Sequence, residues 1–117
     1  MTERLIDIAA LESALEVFAQ ERNWEQYHSP KNLAMALTGE VGELVEIFQW
    51  LTEEQSKSVA CDPPTARAVR DELADVLLYL VRLSSSLGVD LNEAVANKLV
   101  ANAKKYPVGD STPKRNW

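Results

Sequence analysis

Apolar residues recur along most of the chain at intervals of three and four positions, the spacing of one face of an α-helix. Ile8, Leu11, Leu15 and Phe18 form such a stripe near the N-terminus. No stretch of any length alternates apolar and polar residues, as a half-buried strand would. The pattern therefore predicts an all-α protein.

Four helices are predicted, and residues typical of helix ends mark most of their boundaries. Ser29 and Pro30 are a preferred N-cap and first helical residue, and Gly88 occupies the usual position after a helix C-terminus. Asp90, with Glu93 three residues on, forms an acidic variant of the capping box. The predicted helices cover about residues 2–22, 30–54, 65–87 and 90–106, with the main break at 55–64.

Short connections between the four segments favour a four-helix bundle. The third helix carries apolar residues on two sides, because Val76 and Leu83 share one face while Leu73 and Val81 share another. A helix buried on two faces in so small a protein indicates assembly into an oligomer. We expect a single domain over residues 1–107, followed by a C-terminal tail over residues 108–117.

The composition excludes several classes of protein. The net charge of −6 argues against a partner that is a nucleic-acid polymer, because such binding depends on Lys and Arg. Cys61 is the one cysteine, so no internal disulfide can form, and we expect a cytoplasmic protein. No apolar run approaches the roughly 18 residues of a membrane span, so no membrane partner is expected.

Four acidic residues stand in or beside apolar stripes. On the second helix Glu40 lies within about 40° of Leu33 and Leu44, at the centre of the stripe, and Glu43 lies at its edge. The third helix repeats this arrangement. Glu72 lies at the centre of its stripe, among Val76, Tyr79 and Leu83, and Asp75 lies at the edge. In an antiparallel hairpin the two pairs would lie within roughly one turn of the same height.

Carboxylates so close together need compensation, because two like charges about 4 Å apart repel by roughly 4 kcal/mol at an effective dielectric of 20. Protonation, Lys or Arg partners, or a divalent cation would relieve the repulsion. A single Glu-x-x-Glu pair is usually a solvated helix face, but two pairs on apolar stripes favour a metal site. All-oxygen ligands suit Mg²⁺ or Mn²⁺. Di-iron bundles use Glu-x-x-His motifs, and the only histidine is His28.

Two segments carry a family resemblance. GEVGEL at residues 39–44 and DELADVLLYL at residues 71–80 resemble the all-α NTP pyrophosphatases of the MazG-like superfamily, whose signature is E-x-x-E, a spacer and E-x-x-D. RNWEQYH at 22–28, FQW at 48–50 and the run from Lys98 to Pro107 point to the dCTP pyrophosphatase branch. The resemblance covers about residues 5–107.

The resemblance implies Mg²⁺-dependent hydrolysis of a (d)NTP to the monophosphate and diphosphate, with dCTP or a modified dCTP as the expected substrate. It also implies a role in nucleotide-pool house-cleaning and a homotetramer assembled as a dimer of dimers. By position, Glu40, Glu43, Glu72 and Asp75 would be the metal ligands and catalytic residues.

Two further groups are candidate contacts with the nucleotide. Lys98, Asn102 and Lys105 share one helix face and either bind phosphates or complement the helix dipole; the resemblance favours phosphates. The candidates for the base pocket are aromatic or imidazole side chains, which stack on bases. They are Trp24, His28, Trp50 and Tyr79. Core packing is the favoured interpretation for Tyr79 and an equal alternative for Trp24, whereas the helical pattern places Trp50 beside Glu43.

Two other classes of function are compatible with a helical bundle. One is a metal-binding or purely structural helical oligomer without catalysis, and the other is a regulatory bundle that binds a partner protein. Acids on apolar faces argue against the regulatory bundle, because a binding module gains nothing from them.

Overall fold

The computed structural model describes residues 6–109, and within that range every regular element is helical. The α-helices are α1 (Ile8–Glu21), α2 (Pro30–Phe48), α3 (Glu53–Lys57), α4 (Pro63–Leu87) and α5 (Leu91–Lys105). Two 3₁₀ turns, Glu25–Tyr27 and Val59–Cys61, lie in the connections. The all-α prediction is confirmed.

Side-chain caps define where the long helices begin. The capping oxygens accept hydrogen bonds from backbone N–H groups in the first turn, which otherwise have no partner within the helix. The caps of α1, α2, α4 and α5 are Asp7, Ser29, Asp62 and Asp90. The Asp90 cap agrees with the predicted boundary.

Other predicted boundaries were wrong. α2 ends at Phe48 rather than near Glu54, and the segment read as a break contains α3 and a 3₁₀ turn. The reason is local: Thr52 and Gln55 form a complete capping box, which starts a new short helix. α4 begins at Pro63, two residues early, and α1 begins at Ile8, after its Asp7 cap. Residues 2–5 of the predicted first helix, and 110–117 of the predicted tail, lie outside the described residues.

The main packing is between α2 and α4, with α1 laid against α4. Leu33 of α2 and Val81 of α4 are almost completely buried, as is Ala19 of α1. These three are the only apolar residues buried to this degree in residues 6–109. The core is therefore centred on the α2–α4 contact, the place where the acidic pairs were predicted to meet.

α5 contributes little to this core. Its apolar residues Val95, Leu99 and Val100 are each more than half exposed, and so is Leu73 on the outer side of α4. The radius of gyration is 17.3 Å, against about 13 Å for a compact domain of this length. Among the described residues, no helix is both long enough and apolar enough to cross a membrane.

Candidate active site

The α2–α4 contact brings carboxylates from both helices together. One carboxylate oxygen each from Glu40, Glu43 and Glu72 lies within 4.8 Å of the others. Glu40 and Glu72 are half-buried and Glu43 is exposed. The helical pattern placed Glu40 and Glu72 on the inward faces and Glu43 at an edge, and the structure has them there.

Two oxygens of this cluster are buried and have no hydrogen-bond partner. They are Oε2 of Glu40 and Oε2 of Glu72. Within residues 6–109, no lysine or arginine forms an ion pair with either side chain. Leaving a buried polar atom unsatisfied costs about 1–3 kcal/mol, and more for a charged group. An oxygen-only donor set with such orphaned atoms fits a hard divalent cation such as Mg²⁺.

The cluster also changes the acidity of its members. Desolvation, followed by the neighbouring Glu40 and Glu43, raises the pKa of Glu72 from 4.5 to about 7. The hydrogen bond with Glu72 by itself lowers the pKa of Glu40, but desolvation and the charges of Glu43 and Asp75 outweigh it, so this pKa is also raised. Without a cation, the cluster therefore holds protons more tightly than ordinary glutamates do.

Asp75 connects the cluster to a neighbouring cavity. It lies one turn beyond Glu72 on α4, and its charge acts on Glu40, although it is not one of the three closest carboxylates. Asp75 also lines a cavity of about 250 Å³ between α1 and α4. Three predicted base contacts line the same cavity. They are Trp24, His28 and Tyr79.

The turn after α1 places Trp24 at this cavity. Asn23 adopts a left-handed conformation with φ 56°, which asparagine tolerates better than most residues. The N–H of Trp24 then donates to the carbonyl of Ala19 at 2.9 Å, and that of Asn23 donates to Gln20 at 3.1 Å, a Schellman motif. The Trp24 ring thus meets Phe18 edge-on, with ring centroids 5.5 Å apart.

Arg82 is a cavity residue that the sequence pattern did not single out. Its Nε donates a hydrogen bond to Nδ1 of His28 at 3.2 Å, linking α4 to the loop before α2. Burial, and then the charge of Arg82, lower the pKa of His28, so this imidazole is neutral at pH 7. The sequence did contain one signal that points to Arg82: Asp75, Tyr79 and Arg82 lie at i, i+4 and i+7 and therefore share one helix face.

The structure does not bring the remaining candidates to this cavity within one chain. Trp50 lies beyond the end of α2, so its predicted place on the helix beside Glu43 was wrong, and it is 86% exposed. Lys98, Asn102 and Lys105 lie on α5 and line neither the cavity nor the carboxylate cluster. Their predicted roles remain predictions.

The fold and the site together define a class: a helical protein built around a candidate divalent-metal centre, with an aromatic-lined cavity beside it. A family model described as MazG-like matches residues 36–117, and the chain belongs to this MazG-like family. The predicted family resemblance is confirmed.

Individual relatives agree with this assignment. The chain is 50% identical over 91 residues to dCTP pyrophosphatase 1 of Bos taurus, covering 78% of this chain and 54% of that protein. It is 49% identical over 90 residues to dCTP pyrophosphatase 1 of Homo sapiens, with 77% and 53% covered. The chain thus spans about half the length of these curated relatives.

A solved structure shows the same fold over nearly the whole chain. The crystal structure of a pyrophosphatase from Archaeoglobus fulgidus matches with a TM-score of 0.80 and 36% sequence identity. The match covers 92% of this chain and 98% of that one.

Proposed function

We propose that this protein is a Mg²⁺-dependent nucleoside triphosphate pyrophosphohydrolase that converts dCTP, or a modified dCTP, to the monophosphate and diphosphate. The observation that carries the proposal is the pair of buried, unpartnered oxygens of Glu40 and Glu72 beside a cavity lined by aromatic side chains. The relatives named dCTP pyrophosphatase 1 support the choice of substrate.

The proposed metal ligands come from two helices, Glu40 and Glu43 from α2 and Glu72 and Asp75 from α4. Glu40, Glu43, Glu72 and Asp75 would hold the metal, which when bound neutralises the phosphates and activates water. In the reaction a water oxygen bonds to phosphorus, the α–β phosphoanhydride bond breaks, and diphosphate leaves. One of the glutamates orients the attacking water.

The cavity is assigned to the base. Its volume of about 250 Å³ is below the roughly 300–1,000 Å³ of pockets for whole drug-sized ligands, so it suits one part of a nucleotide. Trp24 and Tyr79 supply apolar surface there, and His28 supplies a polar edge. Trp50 does not line the cavity of its own chain, so its predicted base contact requires the cavity of a neighbouring subunit.

The enzyme works as a tetramer in this proposal. The support is the small core of the single chain and the exposed apolar residues of α5 and of the outer side of α4. Within residues 6–109 of their own chain, Lys98, Asn102 and Lys105 line neither the carboxylate cluster nor the cavity, so their phosphate contacts belong at a site shared between subunits.

Product analysis tests the proposal directly. The protein is incubated with each of the four dNTPs, with and without Mg²⁺, and phosphate and diphosphate are measured separately. We expect monophosphate and diphosphate in equal amounts, only with Mg²⁺, and fastest from dCTP. Mg²⁺ binding without turnover of any nucleotide would instead establish a non-catalytic metal-binding oligomer, and release of phosphate alone would establish a different hydrolase.

A further inference from the structure

Arg82 occupies the part of the cavity farther along α4 from the carboxylates. It lies seven residues beyond Asp75, or about 10 Å along the helix, and both side chains line the cavity. Apart from the bond to His28, the guanidinium makes no ion pair and donates no other hydrogen bond within residues 6–109. A half-buried cation without a carboxylate partner needs an explanation, because the unused N–H groups lose hydration.

At this end of the cavity, Arg82 and His28 together present hydrogen-bond donors. Arginine has no acceptor, so Nδ1 of His28 must accept the bond from Arg82 Nε, and the proton of the neutral imidazole sits on Nε2. The Nε of Arg82 is thereby occupied. Its Nη1 and Nη2 groups remain as two parallel donors, the fork that pairs with two adjacent acceptors.

We propose that Arg82 determines base specificity by donating from Nη1 and Nη2 to the adjacent O2 and N3 acceptors of cytosine. This inference rests on the proposed function, since it assumes that a nucleotide base enters the cavity. Thymine and uracil carry a proton on N3, which would oppose a second donor. Guanine also offers two adjacent acceptors, on its other edge, so dGMP is the ligand that tests whether the contact selects cytosine. Substituents at C5 of cytosine lie away from the O2–N3 edge and leave the contact intact.

Equilibrium binding separates this role from the alternatives. Calorimetric titrations with dCMP, dTMP and dGMP in Mg²⁺ are compared for the wild type, Arg82→Met, Arg82→Lys and the control Arg70→Met, an exposed position on the same helix. We expect the wild type to prefer dCMP over dTMP by roughly 10- to 100-fold, the discrimination of one good bidentate base contact. Arg82→Met should reduce that ratio to near one, and Arg70→Met should preserve it.

The lysine variant distinguishes reading from positioning. Lysine can still donate to Nδ1 of His28, but it cannot also form two parallel bonds to the base. If Arg82 only orients His28, Arg82→Lys keeps the dCMP preference; if Arg82 reads the base, this variant loses most of it. Equal losses of affinity for dCMP and dTMP in the Arg82 variants would show that Arg82 contacts the phosphate rather than the base. That result would overturn the proposal. So would a retained preference for dCMP in either Arg82 variant, the absence of this preference in the wild type, or dGMP binding as tight as dCMP binding.

Failure of the enzymatic function would look different. A wild-type protein that discriminates dCMP from dTMP through Arg82 but releases no diphosphate from any dNTP would refute the hydrolase and leave the assignment of Arg82 in place.

Discussion

Glu40 and Glu72 each keep one carboxylate oxygen buried without a donor, close to a third carboxylate, that of Glu43. The chain bears this unfavourable arrangement at the contact between α2 and α4, its main helix contact. Nothing in the packing of α2 on α4 requires a charge there, because an apolar residue would fill the same stripe. The arrangement is explained when the cluster is a binding site for a cation.

Removal of one charge should therefore not weaken the metal-free protein. Glu72→Gln keeps the shape of the side chain but removes a negative charge from a repelling cluster, so we expect an equal or higher free energy of unfolding in EDTA. Urea unfolding of the variant beside Glu46→Gln, an exposed glutamate on α2, measures the effect. A large loss of stability specific to Glu72→Gln would show that the carboxylate has a structural partner.

The pH dependence of stability follows from the same cluster. The pKa of Glu72 is raised from 4.5 in the unfolded chain to about 7 in the fold, so the folded state holds its proton more tightly. Protonated Glu72 therefore contributes to the stability of the metal-free fold. This contribution is complete below pH 4.5 and is lost as the pH rises through 7. The stability of the metal-free protein should thus fall between about pH 5 and pH 8, and in Glu72→Gln it should fall less steeply. Thermal unfolding in EDTA with a flat or rising trend in the wild type would contradict this.

Residue patterns predicted the inward acids but not the whole cavity. Glu40 and Glu72 were predictable because an acid within an apolar stripe is conspicuous on a helical wheel. Arg82 was missed because its partner His28 is 54 residues away, and no local rule pairs an α4 side chain with a loop. Trp50 was misplaced because the wheel was extended past the true end of α2 at Phe48.

At the scale of elements, strong local signals gave the right boundaries. Asp90 and Gly88 mark helix ends in the sequence and in the structure, where Gly88 has φ 70°. The residues between Phe48 and Pro63 carry weaker signals, and the capping box at Thr52 was not recognised. The position of α5 could not be predicted, because its apolar face has no partner within the described chain.

α5 itself yields a prediction about phosphate binding. Lys98→Ala and Asn102→Ala should weaken binding of dCTP by about tenfold or more, since hydrogen bonds to charged groups contribute about 1.5–3 kcal/mol. Binding of deoxycytidine should change much less, because the nucleoside has no phosphate. Lys104→Ala, on another face of α5, is the matched control. Equal losses for both ligands would show that this face does not meet the phosphates.

At the scale of the whole molecule, residues 6–109 of a single chain form only a small core. Three apolar residues of this described part are almost completely buried, and the radius of gyration is 17.3 Å, so much apolar surface is left uncovered. We expect four chains of 13.0 kDa each to associate in solution. Light scattering on a size-exclusion column measures the mass; a monodisperse species of 13.0 kDa at micromolar concentration would refute the tetramer.

The central claim is that the carboxylate cluster holds the metal on which hydrolysis depends. Its most direct test is diphosphate release from dCTP as Mg²⁺ is titrated into metal-free wild type, Glu40→Gln and the exposed control Glu46→Gln. We predict saturable, Mg²⁺-dependent turnover in the wild type and the control. Glu40→Gln should remain folded by circular dichroism and lose at least about a hundredfold in rate, the scale of one lost electrostatic contact at a reacting centre. Near-normal turnover by folded Glu40→Gln would contradict the assignment of the metal site.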